Sequence, residues 1–288
     1  MSTESGGFLE DVSFSEQRLR SIALYVALYG TAALFLLPYW WMFSTSIKPR
    51  EQIYSSVPHL LPSEITFEAY RILLSNSQIV QWTINTVVLA TLTTVTVLVI
   101  DAMIAYSLTR LEWPGRRIVF TVIVASFLVP GIVNLVPVFM IVAKLGLVNN
   151  LFGVVLPSVA NPLGVFMLYQ FFRDIPEELE EAARLDGFSR LRIFTHIILP
   201  LMRSALAALG LFIFIWTWNS FLWPLVILQD SSLYTLPIGL VTLQDNMGIV
   251  NPGIVMASAV IASLPLLLVF LVLQRHLVKA VEAQGTVK

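Results

Sequence analysis

Residues 173–203 read RDIPEELEEAARLDGFSRLRIFTHIILPLMR, and this polar stretch interrupts a chain that is otherwise almost free of charge. The stretch contains 11 charged residues, out of 17 basic and 18 acidic residues in the whole 288-residue protein. Uncharged runs of more than 25 residues lie directly before and after it. A loop that only joined two helices would need far fewer residues. We therefore predict that residues 173–203, here called the polar loop, do more than connect two helices.

The uncharged runs on either side of the polar loop belong to a set of six. Each is long enough for a membrane helix, which needs about 20 apolar residues. Only 12% of all residues are charged, 57% are hydrophobic and the mean hydropathy is +0.82, which excludes an ordinary soluble domain. We predict an all-α membrane protein with six transmembrane helices. Their predicted positions are 22–45, 82–107, 118–142, 151–172, 204–226 and 253–273.

The basic residues indicate which way the helices run, because lysine and arginine collect in cytoplasmic loops. With six spans, thirteen basic residues fall on the side of the two termini and four on the opposite side. Both termini and the polar loop are therefore predicted to be cytoplasmic. The first apolar run is too long for a cleaved signal peptide and is predicted to be retained. The net charge of −1 gives no basic surface for nucleic acid.

The domain organisation follows from this topology. One transmembrane domain is expected, with a loop outside the membrane that is either an ordinary connection or a contact for an external partner. The predicted parts are an N-terminal cytoplasmic segment 1–21, the transmembrane domain 22–273 with its external loop 46–81 and its cytoplasmic polar loop 173–203, and a C-terminal cytoplasmic tail 274–288.

The polar loop itself is predicted to form two short helices. Asp174 and Glu177 are spaced as an acidic cap and its partner, with Pro176 near the helix start. Gly187 is suited to the positive φ that ends a helix, and Ser189 can cap the next one. Two helices set at an angle are a shape for docking another protein, or for an amphipathic hairpin on lipid headgroups. Both interpretations stay open at this point.

The first of these helices has two predicted faces. Leu179, Ala182 and Ala183 recur at helical spacing and form a small, shallow face that another backbone can approach closely. The opposite face is predicted to be solvated. Its charged residues are Glu177, Glu178, Glu180, Glu181, Arg184 and Asp186.

The polar loop resembles the EAA signature of permease subunits in ATP-binding-cassette importers, E-A-A-x3-G-x9-I-x-L-P, at every defined position. The resemblance implies that the loop is a coupling element, which docks into a cleft on a separate ATPase subunit. It also implies a multi-pass protein of a prokaryotic cytoplasmic membrane. The implied coupling residues are Glu181, Ala182, Ala183, Gly187, Ile197, Leu199 and Pro200.

More of the chain is similar to the carbohydrate-uptake class of these permeases, the group that contains the smaller permease subunit of the maltose transporter. The class implies a sugar as solute, although a polyol, a glycerol phosphate or another solute stays open. Its implied partners are a second, homologous permease, two ATPase subunits and an extracytoplasmic solute-binding protein. Ser220 departs from the acidic residue usual in the family. The matching stretches are Asn85-Thr86, Ala105 to Leu108, Trp113 to Arg116, Val129 to Gly131, Gly146 to Asn149, Trp218 to Leu225 and Thr235 to Leu240.

The residues that are missing favour a subunit driven by another protein's ATP hydrolysis. No G-x-x-x-x-G-K-[ST] loop occurs, so ATP and Mg²⁺ are expected on the partner ATPase and no cofactor on this chain. No catalytic constellation is found, His59, His196 and His276 are too scattered to bind a metal together, and there is no cysteine. A secondary transporter or channel subunit remains an alternative. Only Asp101 interrupts a membrane segment, as a boundary residue bonded to a neighbouring helix or as a proton relay.

Helix breakers and aromatic residues point to the translocation route. Proline and glycine in helices three to five either kink these helices in the ordinary way or mark helices that line an aqueous path. A dense aromatic cluster near the external end of helix five suits the flat faces and hydroxyl groups of a saccharide, or forms part of an interfacial belt. The breakers are Pro130, Gly131, Pro137, Pro157, Pro162, Gly164, Gly210 and Pro224. The cluster, which we predict as a substrate pathway, comprises Trp216, Trp218, Asn219, Phe221 and Trp223.

Overall fold

A computed structural model describes residues 5–75, 78–246 and 251–285, and this part of the chain is almost entirely helical, with no β-strand. The predicted all-α class is confirmed. Short 3₁₀ turns and one π-helical turn occur between the α-helices. The α-helices are α1 (Ser5–Ser46), α2 (Arg50–Ile53), α3 (Glu68–Leu74), α4 (Gln78–Arg110), α5 (Arg116–Ala125), α6 (Leu135–Lys144), α7 (Leu151–Val155), α8 (Pro162–Arg173), α9 (Glu178–Leu185), α10 (Arg190–Ile193), α11 (Leu199–Leu201), α12 (Arg203–Trp218), α13 (Leu222–Ile227), α14 (Leu236–Asn246) and α15 (Pro252–Gly285).

Three segments are long and apolar enough to cross a membrane as straight helices. They are Arg20–Ser46, Gln78–Arg110 and Pro252–Val272. Three further candidate spans are pairs of helices with a bend at a short break. The bends measure 100° between Arg116–Leu128 and Gly131–Lys144, 44° between Leu151–Ser158 and Pro162–Arg173, and 78° between Arg190–Leu201 and Arg203–Trp218. By length and composition the described chain has six candidate spans if each bent pair counts as one.

The first and last candidate spans, Arg20–Ser46 and Pro252–Val272, agree with the predicted transmembrane helices 22–45 and 253–273 within two residues. The α-helices that contain them are longer, since α1 begins at Ser5 and α15 ends at Gly285. Residues 1–4 and 286–288, which complete the two predicted terminal segments, lie outside the described residues.

Two of the predicted helix breaks occur at the expected prolines. Pro130 separates two 3₁₀ turns, and Pro162 opens α8 after Asn161, whose side chain accepts a hydrogen bond from the Gly164 N–H at 3.2 Å. Proline lacks the N–H that continues a helix, so each marks a new start. Gly210, in contrast, does not break α12. A Cβ at Gly210 would lie 3.2 Å from Leu98 Cδ1, so this glycine permits close helix packing instead.

The described residues divide into two compact units. The first contains the described residues up to Leu73 together with 251–260, and the second contains the described residues of 74–246 together with 261–285. The main core of the second unit surrounds the C-terminal half of α4. There Tyr106 makes ring contacts with Phe172 of α8 at 5.8 Å and with Phe194 after α10 at 4.9 Å, and the largest side chains are almost completely buried. α4 is therefore the helix around which the polar loop and its neighbouring spans pack.

In the first unit, hydrogen bonds within residues 44–66 order the predicted external loop. Lys48 donates from Nζ to the His59 carbonyl and lies 4.3 Å above the Trp41 ring, and Ser44 Oγ donates to the Leu60 carbonyl at 2.7 Å. Burial lowers the pKa of Lys48. This scaffold leaves several apolar side chains exposed at the loop surface. They are Tyr54, Val57, Leu60, Leu61, Ile65 and Phe67.

The N-terminal half of α4 holds the segment before α14 through side-chain hydrogen bonds. Asn85 Nδ2 donates to the Ser232 and Tyr234 carbonyls at 2.8 and 3.0 Å, and Thr86 Oγ1 accepts from the Leu236 N–H at 2.7 Å. Two of the stretches that carry the family resemblance, Asn85-Thr86 and Thr235 to Leu240, are thus in direct contact.

Gly239 provides a test of this arrangement. A Cβ at Gly239 would lie 2.1 Å from the Trp82 ring, whose Nε1 is fixed by a bond to the Ser231 carbonyl. We expect Gly239→Ala to lower the thermal unfolding temperature of the purified protein by several degrees, because overpacking typically costs about 1–3 kcal/mol. Gly30→Ala is the matched control, since nothing lies within 4 Å of that position. Equal unfolding temperatures for the two variants would contradict the packing described.

Candidate functional site

The polar loop folds into α9, a glycine turn and α10, as the sequence predicted, but the acidic cap predicted at Asp174 was wrong. Asp174 lies at the end of α8, and the N-cap residue of α9 is Glu177, which makes no capping hydrogen bond with its side chain. Gly187 has a φ of +83°, its N–H donates to the Arg184 carbonyl, and the Phe188 N–H donates to the Ala183 carbonyl, both at 3.0 Å. This pair of bonds is a Schellman motif, which needs a residue that tolerates positive φ. Ser189 then caps α10 by accepting from the Arg192 N–H at 3.4 Å. The prediction that Gly187 ends the first helix and that Ser189 caps the second is confirmed.

A buried ionic cluster attaches α9 to the end of α4. Glu180 is only 2% exposed and lies 3.1 Å from Arg110 Nε, and the Tyr106 hydroxyl donates to its other oxygen at 3.2 Å. Arg110 also pairs with Glu177 at 3.1 Å and donates to the Phe172 and Ile175 carbonyls. The guanidinium group of Arg110 therefore joins α4, α8 and the polar loop at one point.

The prediction of a fully solvated charged face on α9 was wrong for Glu180. Ala183, predicted on the small docking face, is also buried, with 4% of its surface exposed. Both residues face the core, since positions three apart share one side of a helix. Arg110, whose positive charge compensates the buried charge of Glu180, lies 70 positions away in the sequence, so the sequence gives no local sign of this burial. Exposed on the other side are Leu179, Glu181, Ala182 and, at 91%, Leu185.

The signature residues are distributed around the two ends of the loop. Glu181, Ala182 and Gly187 are exposed at α9 and its turn. Ile197 and Leu199 are half-buried and Pro200 is exposed, in and after the π-helical turn 194–198. A shallow groove of about 520 Å³ brings the two parts together. It is lined by Leu179, His196, Ile197, Pro200, Leu201 and Arg203.

A larger cavity, here called the aromatic cavity, lies among the broken helices and has a volume of about 900 Å³. Four of the five predicted pathway residues line it: Trp216, Asn219, Phe221 and Trp223. The helix breaks border it too, through Gly131 and residues 157–158. Every residue that lines the cavity is uncharged. The polar lining residues are Thr93, Asn134, Ser158, Thr217, Asn219 and Ser220.

The fifth predicted pathway residue, Trp218, lies elsewhere. It is only 1% exposed, and its Nε1 donates to the Ala262 carbonyl at 3.1 Å. Successive residues of a helix point about 100° apart, so the cluster divides between the cavity and the core. Sequence reasoning also missed Leu89 and Thr93 of α4, which line the cavity from a helix that carries no aromatic signal there.

Asp101 is fully buried in the middle of the second unit. Its Oδ1 accepts a hydrogen bond from the Asn161 N–H at 2.9 Å, at the break that precedes α8. A Cβ at Gly164 would lie 2.0 Å from Oδ2, so only glycine fits beside this carboxyl group. Of the two interpretations drawn from the sequence, these contacts fit a residue bonded to a neighbouring helix.

Comparison with known proteins shows similarity over nearly the whole chain. Residues 99–283 match the family described as binding-protein-dependent transport system inner membrane component. The chain is 32% identical over 267 residues to the arabinooligosaccharides transport system permease protein AraQ of Bacillus subtilis (strain 168), covering 92% of this chain and 95% of AraQ. It is also 32% identical over 275 residues to the diacetylchitobiose uptake system permease protein NgcG of Streptomyces coelicolor, covering 94% and 90% of the two chains.

A solved structure shares the fold. It is the crystal structure of a bacterial ABC transporter involved in the import of the acidic polysaccharide alginate, and one of its chains matches with a TM-score of 0.80. The sequence identity is 27%, and the match covers 90% of this chain and 97% of that chain. The polar loop lies within residues 99–283 matched by the family model, and so do all residues that line the aromatic cavity except Leu89 and Thr93.

Proposed function

The chain belongs to the family of binding-protein-dependent transport system inner membrane components, and we propose that the importer it serves takes up a sugar. The protein is a non-catalytic, membrane-embedded permease subunit of an ATP-binding-cassette transporter. The names of its relatives AraQ and NgcG, which refer to arabinooligosaccharides and diacetylchitobiose, support a saccharide as the solute. A polyol or a glycerol phosphate is the second candidate class.

The proposed topology has six spans with both termini in the cytoplasm. Three straight helices and three bent pairs supply the spans. The excess of basic residues on the side of the termini supports the orientation. In this arrangement the transmembrane domain covers 22–273, the loop 46–81 is external and the polar loop 173–203 is cytoplasmic. The exposed apolar side chains of the external loop are then available to a solute-binding protein.

The polar loop is the proposed docking element for an ATPase subunit. Its exposed residues Leu179, Glu181 and Ala182, together with the adjoining groove at Ile197 and Pro200, form the contact surface. Ala183, Gly187 and Leu199 support this surface from the core, the turn and the second helix. ATP and Mg²⁺ are bound by two ATPase subunits, and a second, homologous permease completes the membrane domain. A difference in docking free energy between the ATPase states supplies the conformational bias.

The aromatic cavity is the proposed substrate pathway. Aromatic rings can stack on the C–H faces of a saccharide, and amide and hydroxyl groups such as Asn219 and Ser220 can bond its hydroxyls. Gly131 and residues 157–158 line the cavity next to the breaks at 129–130 and 159–161, and these breaks are points where helices can bend as access alternates. The observation that carries this assignment is the convergence of the predicted aromatic cluster and the helix breaks on one uncharged cavity.

Reconstitution tests the function directly. The chain, its partner permease, the ATPase subunits and the solute-binding protein are co-purified and placed in liposomes, after a ligand screen on the binding protein has identified the solute. Uptake is expected only with ATP inside and with the binding protein outside. Solute flux without ATP would support a secondary transporter or channel instead.

Substitutions at Trp216 and Trp218 separate the two environments of the aromatic cluster. Trp216 is 69% exposed in the cavity wall, so Trp216→Ala is expected to raise the KM for uptake roughly 3- to 10-fold, with normal amounts of protein. Trp218→Ala leaves a void in the core and is expected to lower the yield of folded protein. Uptake assays and the membrane content of the subunit measure the two effects. An unchanged KM for Trp216→Ala would exclude this residue from the pathway.

A further inference from the structure

A second large cavity, here called the basic cavity, lies where the start of α5 meets the end of α8 and the start of the polar loop. Its volume is about 960 Å³, and it shares no lining residue with the aromatic cavity. It is lined by Leu108, Thr109, Arg110, Arg116, Arg117, Phe120, Thr121, Tyr169, Arg173, Ile175, Pro176, Glu177 and Glu178. The coupling and substrate assignments leave this cavity unexplained.

The basic cavity has more guanidinium groups than its carboxylates neutralise. Arg110 is occupied by Glu177 and Glu180, and Arg116 donates from Nη1 to the Leu111 carbonyl at 3.0 Å. Arg117 and Arg173 are exposed, and neither has a carboxylate oxygen within 4.0 Å among the described residues. Two basic side chains from different helices thus remain available to a ligand. Glu178 also lines the cavity, and its negative charge pairs with neither Arg117 nor Arg173.

The lining of the basic cavity is mostly polar, but an aromatic pair and an apolar helix surface lie beside the arginines. The Phe120 and Tyr169 rings stack with their centroids 4.1 Å apart and form one side of the cavity. On the outer surface of α5, directly after Arg117, Ile118 and Val122 are 71% and 62% exposed. α5 and α8 are both parts of candidate membrane spans, so this exposed surface is positioned to face acyl chains. A small soluble anion would not contact such an apolar surface, whereas the acyl chains of a lipid would.

We propose that the basic cavity binds the headgroup of an anionic phospholipid. Its phosphate accepts hydrogen bonds from Arg117 and Arg173, whose planar forked donors match phosphate oxygens. Its acyl chains lie along the exposed apolar side of α5. Basic pockets between transmembrane helices at the cytoplasmic boundary are suited to such headgroups. The negative charge of Glu178 repels the phosphate and so lowers the affinity of the site for the lipid. The bound lipid then holds the end of α8, and with it the start of the polar loop, against α5.

The experiment counts lipids on the intact importer. The complex is delipidated in detergent, titrated with phosphatidylglycerol or with phosphatidylcholine, and examined by native mass spectrometry. The wild type is expected to retain phosphatidylglycerol in preference to phosphatidylcholine. The double variant Arg117→Gln/Arg173→Gln should bind phosphatidylglycerol about 30-fold more weakly, from two charges near the surface. Glu178→Gln should bind it about fivefold more tightly.

Arg20→Gln is the matched control, because it removes one exposed positive charge from α1, outside the basic cavity, and should leave binding unchanged. Equal retention of both lipids by the wild type would overturn the proposal, as would displacement of phosphatidylglycerol by excess inorganic phosphate. Loss of the ATPase subunits from the double variant would assign the arginines to a protein interface instead. Since Glu178→Gln removes no basic group, unchanged affinity in that variant also counts against the site.

Discussion

Replacing Gly187 by proline is expected to detach the ATPase subunits and abolish ATP-driven uptake, while membrane insertion stays normal. The native φ of +83° is inaccessible to proline, whose ring fixes φ near −65°. Proline also removes the N–H that donates to the Arg184 carbonyl. The turn that sets α9 against α10 therefore cannot form. Co-purification of the ATPase with the tagged permease, uptake in membrane vesicles and the membrane content of the subunit measure the three outcomes.

Gly187→Asn is the matched control for this variant. Asparagine adopts the left-handed conformation more readily than other side chains, and nothing lies within 4 Å of a Cβ at this position. Only the backbone conformation is then at stake, so the asparagine variant is expected to retain most of its uptake. If Gly187→Pro binds its ATPase and transports like the wild type, the turn has no part in coupling.

The second large effect is expected at the junction of α4 and α9. Arg110→Met removes the nearest cation from Glu180, a carboxylate with 2% exposure, and leaves it only Arg184 at 3.7 Å and the Tyr106 hydroxyl at 3.2 Å. Removing one partner of a buried pair in this way costs roughly 3–5 kcal/mol. α9 then loses its attachment to α4, and the docking movement no longer reaches the membrane helices. We expect a lower unfolding temperature of the complex and loss of uptake, with residual ATPase activity that the loaded binding protein no longer stimulates.

A double-mutant cycle distinguishes the loss of the Arg110–Glu180 ion pair from general destabilisation of the protein. Glu180→Met alone leaves Arg110 short of a partner, whereas Arg110→Met/Glu180→Met removes both charges and is expected to be less unstable than either single variant. Recovery should be partial, because the Phe172 and Ile175 carbonyls lose their donor. Tyr106→Phe, which removes one hydrogen bond at 3.2 Å, is the mild control. Additive effects of the two single substitutions would show that the pair is not coupled.

The sequence predicted the glycine turn and the serine cap of the polar loop because these features depend on a few neighbouring residues. A glycine at a helix end and a serine before the next helix have effects that act within one turn. The same holds for the breaks at Pro130 and Pro162, where the missing N–H is itself the cause. The family signature was equally readable, since its residues stand at fixed spacing in one segment.

Features that depend on distant partners could not be predicted. Glu180 is one of several acidic residues on α9, and only the position of Arg110 at the end of α4 makes its burial favourable. Trp218 belongs to an aromatic cluster by sequence, but helix rotation turns it toward α15. The helical extensions of α1 and α15 beyond their membrane spans were not predicted, because the apolar runs that define the spans end before the helices do.

α4 reaches from the aromatic cavity, at Leu89 and Thr93, to the ionic junction at Arg110, about 25 Å along one uninterrupted helix. A rigid rod between two binding sites has a thermodynamic consequence, because coupling free energies are reciprocal. If nucleotide-dependent docking at the polar loop changes the affinity of the cavity for solute, then solute in the cavity changes the affinity of the loop for the ATPase by the same factor. If both proposed sites are correct, α4 therefore transmits the effect in both directions, and solute in the aromatic cavity changes how strongly the ATPase is bound.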